Sequence, residues 1–169
     1  MKKTVYCLLL FMAVFYSPAF SAEYQKAPLD IQVTLFSKLF LFNNHFIRGE
    51  EITVYVLDSP EFAAEFRKSV GKKIGKAEIT SVQEGKELPS EKPSVIYLGN
   101  PDKTDALVRY TRSHKVLSIT GHPSLIAKGI TLGVGVYGQK PKILFNPLSS
   151  EKEGMDWNPV ILKIVEMIK

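Results

Sequence analysis

Apolar and polar positions follow two different rhythms along this chain. From Asp30 the run IQVTLFSKLFLFNNHFI sets Ile31, Leu35, Leu39, Phe42 and Phe46 on one helical stripe, with Asp30 suited to cap it. Phe36, Phe40 and Leu41 fall off that stripe, and a helix apolar on more than one side is deeply buried or covered by a partner chain. The rhythm then shortens to strands. ITVYVL (52–57) stops at Asp58-Ser59-Pro60, which opens a helix with Phe62, Phe66 and Val70 inward and Gly71 or Gly75 at its end. Residues 77–82 alternate as a strand, 83–93 form a charged loop, and SVIYL (94–98) is a third strand closed by Gly99-Asn100-Pro101. A helix over 102–113 turns Leu107 and Tyr110 inward, and VLSIT (116–120) ends in Gly121-His122-Pro123-Ser124.

Beyond Gly129 the pattern changes. Residues 130–137 and 142–145 read as a hairpin about Gly138-Gln139-Lys140-Pro141. Asn158 and Pro159 then open a final amphipathic helix that buries Ile161, Ile164, Val165 and Ile168. Strand, helix, strand, strand, helix, strand is the order of an α/β domain. The expected fold is a single-domain sandwich with a mostly parallel sheet, a C-terminal β-hairpin and helices on both faces.

Residues 1–22 locate the protein. Lys2 and Lys3 precede an uncharged run, VYCLLLFMAVF, then Ser17-Pro18 and Ala19-Phe20-Ser21. This is the layout of a secretory signal peptide over 1–21, leaving 22–169 as one domain outside the cytoplasm, in the periplasm. The apolar run is shorter than the roughly 20 residues of a bilayer-spanning helix, and no second one follows, so the mature chain carries no transmembrane segment. The only cysteine, Cys7, leaves with the leader, so no internal disulfide can form. Removing Lys2 and Lys3 from 22 basic residues leaves 20 against 17 acidic, a net charge of +3. The cluster Lys68, Lys72, Lys73 and Lys76 lacks interleaved aromatic residues and reads as a solvated helix end, not a nucleic-acid surface.

Chemistry-bearing motifs are few. Gly133-Val-Gly135-Val-Tyr-Gly138 spells G-x-G-x-x-G, but within a strand followed by another strand, where no dinucleotide could meet a helix N-terminus. His45, His114 and His122 lack metal-pair spacing, so neither metal nor cofactor is expected. Ser124 stands too close to His122 in sequence, with no orienting carboxylate, for a nucleophile–base pair. A positional feature remains: Asp58, Ser59, Gly99, Asn100, Thr120, Gly121 and His122 follow three strands and, if these are parallel, share one rim. The rim could take a small anion or polar metabolite, or be ordinary turn chemistry.

The Leu39-Phe40-Leu41-Phe42 helix, Asp58-Ser59-Pro60-Glu61-Phe62 after a strand, the 116–120 strand, Gly129-Ile130, and Lys142-Ile143-Leu144-Phe145-Asn146 together resemble the YfiR/HmsC-like family of small periplasmic proteins. The resemblance implies an α/β sandwich without enzyme activity. It also implies a partner, the periplasmic sensor domain of an inner-membrane diguanylate cyclase, and through it control of cyclic-di-GMP and biofilm. This chain departs from the better-understood members in lacking mature cysteines. On that reading Phe36, Phe40 and Trp157 are candidates for a partner interface, with a second copy of the chain as another partner. The alternative is a periplasmic small-ligand receptor using the rim near His122.

Overall fold

The computed structural model describes residues 24–168; the expected leader over 1–21 lies outside the described residues. β-branched runs become strands wherever small or polar residues bracket them. The strands are β1 (Gln25–Lys26), β2 (Ile52–Leu57), β3 (Lys73–Ile74), β4 (Ala77–Gly85), β5 (Val95–Leu98), β6 (Leu117–Thr120), β7 (Leu132–Tyr137), β8 (Lys140–Phe145) and β9 (Glu166–Met167). They form one mixed sheet in the order β3-β4-β2-β5-β6-β7-β8-β9, and β1 lies antiparallel to β7 beyond the point where β6 stops. The run β4-β2-β5-β6-β7 is parallel throughout. Counted in chain order those five strands stand 2-1-3-4-5, a doubly wound order whose direction reverses between β2 and β5.

Helices α1 (Leu29–Leu39) and α3 (Pro60–Arg67), with the single turn α2 (Asn44–Ile47) between them in sequence, cover one face, and α4 (Thr104–His114) the other. Strand pleating divides the apolar side chains between them: Val95 and Tyr97 meet the first face, Ile96 and Leu98 the second. The first face is aromatic. Phe62 stacks on Tyr97 with centroids 3.5 Å apart and rings 10° from parallel, and Phe36 meets both rings edge-on. The expected α/β sandwich with a mostly parallel sheet and a C-terminal hairpin is the observed fold. The hairpin turn is tighter than expected, because Gly138 and Gln139 alone make it, both at positive φ (53° and 65°) as a type I′ turn requires.

Three expectations are corrected, and one element joins those expected. The buried face of α1 carries Gln32, Val33, Phe36 and Leu39, followed by Phe40, so the stripe is turned by one residue from Ile31 and Leu35, which are only half-buried. Two phenylalanines bury more area than an isoleucine and a leucine, and Gln32 is tolerated inside because it is hydrogen-bonded. Val70 is exposed, since α3 ends at Arg67. A short helix, α5 (Pro147–Lys152), follows β8, with Asn146 Oδ1 accepting from the Ser149 N–H at 3.0 Å.

The expected final helix is a 3-10 turn over Pro159–Lys163 leading into β9, which pairs parallel with β8. Asn158 caps it as expected, accepting from the Val160 N–H at 3.0 Å. Beyond it Val160, Ile161, Ile164, Val165 and Ile168 are β-branched and poor at sustaining a helix, whereas β8 offers a free edge. Ile161 is buried, Val165 and Ile168 half-buried, and Ile164 exposed.

Candidate functional site

The parallel strands bring Asp58, Ser59, Gly99, Asn100, Thr120, Gly121 and His122 to one rim, with the β2 and β5 ends at the reversal point. Asp58 leaves β2 at φ 56°, a left-handed conformation aspartate adopts more readily than most residues, and its carboxylate meets Lys103 Nζ at 2.7 Å. The carboxylate holds the Lys103 ammonium above its ordinary value. Pro60 then starts α3 behind Ser59.

At the reversal point the rim is closed. A Cβ on Gly99 would stand 2.4 Å from the Asp58 carbonyl oxygen and 2.5 Å from Ser59 Cβ, so only glycine lets the two strand ends touch. Asn100 Oδ1 accepts from the Asp102 N–H at 3.0 Å, closing the turn before α4. Thr120 Oγ1 donates to the Leu98 carbonyl at 2.9 Å and accepts from the His122 N–H at 3.1 Å. His122 Nε2 donates to the Gly99 carbonyl at 2.9 Å. Burial first, then the charge of Lys26, pushes the His122 imidazole below its ordinary value, against the pull of that hydrogen bond. The ring nitrogen is thus engaged with backbone, not with Ser124.

Beneath the rim lies a polar contact that sequence reasoning missed. Gln32, fully buried, donates to the Ala27 carbonyl at 2.7 Å and accepts from Tyr97 OH at 3.0 Å. Its amide lies over Gly121, where a Cβ would come within 2.2 Å of Oε1. Burial raises the Tyr97 phenol, keeping it a neutral donor. The one available signal was a glutamine at helical spacing from Phe36 and Leu39.

What the rim leaves open is a depression of about 450 Å³ lined by Lys26, Ala27, Pro28, Leu29, Ser59 and Glu61. A second, of about 370 Å³, lies before the starts of β5 and β6, where His45 Nδ1 stands 3.5 Å from Glu50 beside Lys92 and Lys115. Among the described residues, no three His, Cys, Asp or Glu side chains are grouped to hold a metal ion.

The expected exposure of Phe36 and Phe40 is corrected: both are fully buried in the α1–α3 face, where aromatic packing claims their whole area. Trp157 is half-buried; its indole N–H donates to Ser150 Oγ at 2.7 Å and its ring meets Phe145 edge-on. Exposed apolar side chains collect instead in the C-terminal segment, where Val160, Leu162, Ile164 and Met167 are each 44–56 % exposed. Among the described residues, no helix is long and apolar enough to cross a membrane.

Two further polar groupings tie elements together. Glu153, fully buried, accepts from Ser118 N–H (3.0 Å), Ser118 OH (2.6 Å), Thr111 OH (2.8 Å) and Thr131 OH (2.7 Å). Burial pushes its carboxyl above the ordinary value, and these four donors offset only part of that. Near the chain ends, Glu166 accepts from Tyr24 OH and Lys142 Nζ, which holds its carboxyl below the ordinary range.

No curated protein matches the chain. The sequence profile described as YfiR/HmsC-like matches residues 36–166, which include β2 through β8 and reach the first residue of β9. Spanning well over half of the sequence, that match shows that this chain belongs to the YfiR/HmsC-like family.

Proposed function

We propose that this protein is an exported, non-enzymatic regulator that restrains an inner-membrane diguanylate cyclase by docking on its periplasmic sensor domain. Membership of the YfiR/HmsC-like family carries the reading. Export rests on the leader layout of residues 1–21. Cleavage after Ser21 would keep β1 and every later element intact. Regulation by contact needs apolar surface that the fold leaves uncovered, and Val160, Leu162, Ile164 and Met167 supply it within eight residues of chain. With Cys7 in the leader, such control runs without an internal disulfide.

The test is genetic and biochemical together. Deleting the gene should raise cellular cyclic-di-GMP, and the full chain should restore it while a leaderless chain should not. Leu162→Asp should leave the circular dichroism spectrum unchanged and weaken recovery of the cyclase sensor domain from envelope extracts at least tenfold. Unchanged cyclic-di-GMP after deletion, or rescue by the leaderless chain, would overturn the proposal.

A further inference from the structure

The depression between the N-terminal ends of α1 and α3 has the makings of a ligand site that the regulatory reading does not use. Neither helix is capped by a side chain: Pro28 precedes α1, and the Ser59 hydroxyl makes no cap bond to α3. First-turn amides have no acceptor within their own helix, so Asp30, Ile31, Glu61 and Phe62 keep N–H groups free of acceptors among the described residues. Ser59 is only 8 % exposed and its hydroxyl has no hydrogen-bond partner among the described residues, yet it forms part of the wall. With the rest of the residue buried, that hydroxyl is accessible only through the wall, so what bonds it must come from the depression. Lys26, which makes no ion pair among the described residues, adds a positive charge at the same wall, and that charge is felt by His122.

The lining also limits what can enter. Glu61 contributes one negative charge to the same lining as Lys26, which disfavours a dianion such as phosphate. Ala27, Pro28 and Leu29 form an apolar floor, and about 450 Å³ accommodates a small organic molecule. We propose that this depression binds the carboxylate of a small apolar monocarboxylic acid, held by Ser59 OH, Lys26 and the first-turn amides of α1 and α3. The site does not depend on the cyclase proposal, since binding is read on the isolated protein.

Butyrate is the probe, titrated into ¹⁵N-labelled protein expressed with its leader in place, with butyramide and inorganic phosphate as comparisons. Saturable amide shifts are expected at Asp30, Ile31, Glu61 and Phe62 with butyrate, none with butyramide, and weaker ones with phosphate. Ser59→Ala and Lys26→Gln, neither of which breaks a side-chain bond among the described residues, should each weaken butyrate binding about fivefold or more. Shifts that fail to saturate, equal binding of phosphate or butyramide, or unchanged affinity in both variants would each overturn the assignment.

Discussion

Glu153 offers the sharpest test of the energetics, because its carboxylate is buried among four donors and makes no ion pair among the described residues. Replacing it with alanine strands the Ser118 N–H, which cannot rotate, together with the Ser118 and Thr131 hydroxyls, and leaves the Thr111 hydroxyl only its 3.4 Å bond to the Val108 carbonyl, all on fully buried residues. Each orphaned group costs roughly 1–3 kcal/mol, partly returned because no charge is buried any longer, so Glu153→Ala should cost about 3 kcal/mol. Glutamine is different. Its carbonyl can take the Ser118 N–H and Thr131 OH, while its amino group donates to the Thr111 and Ser118 hydroxyls, which rotate to accept. Glu153→Gln should stay within about 1 kcal/mol of wild type at neutral pH. The sign of the pH effect follows from the raised carboxyl. The native state holds that proton more tightly than the unfolded chain, so stability falls as pH rises from the ordinary Glu range to the folded value, by about 1.4 kcal/mol per unit of difference. Urea unfolding followed by the fluorescence of Trp157, the only tryptophan, gives both quantities across pH 4–8. A Gln variant that keeps the wild-type slope, or is as unstable as the Ala variant, refutes the account.

Two other outcomes follow from the packing at the rim and at the chain ends. Gly121→Ala should destabilise by about 2–4 kcal/mol because its Cβ meets the Gln32 amide, and Gln32→Ala should relieve part of that; additive losses of melting temperature in the double variant would sink the explanation. Glu166, held low by Lys142 and Tyr24, contributes stability present above its unfolded value and lost as pH falls through the folded one. With both ion-pair side chains more than a third exposed, Glu166→Gln should remove under about 1 kcal/mol and flatten the acid limb below pH 5, as thermal melts against pH would show.

The parallel strands were legible because Gly, Pro, Asp and Asn mark their ends, and the same marks placed all seven rim residues together. What those residues do to one another was not legible: nothing in Gly99 announces that Asp58 lies against it, 41 positions away in sequence. The phase of α1 was ambiguous because apolar residues occupy both candidate stripes, and the choice turned on which face Tyr97 and Phe62 could fill. The Glu153 cage draws its donors from 22, 35 and 42 residues upstream, so no local pattern reports it. β9 was hidden for another reason. Helical spacing and a good cap were both present, and a free strand edge far back in the chain outweighed them.

The bond between Tyr24 OH and Glu166 spans 142 residues, and β1 lies on a strand that begins only at Leu132. Any process that delivers this chain from its N-terminus therefore presents the opening strand long before its partner exists. Residues 25 and 26 wait unpaired while the central parallel strands assemble, and the last few residues to arrive close the structure at both ends at once. Loop closure over such a distance is entropically late and slow. The finished molecule is consequently fastened at both ends by its final residues, so a chain cut short before Glu166 would lose one of the ties on its beginning, the other being the β1–β7 pairing, together with its end.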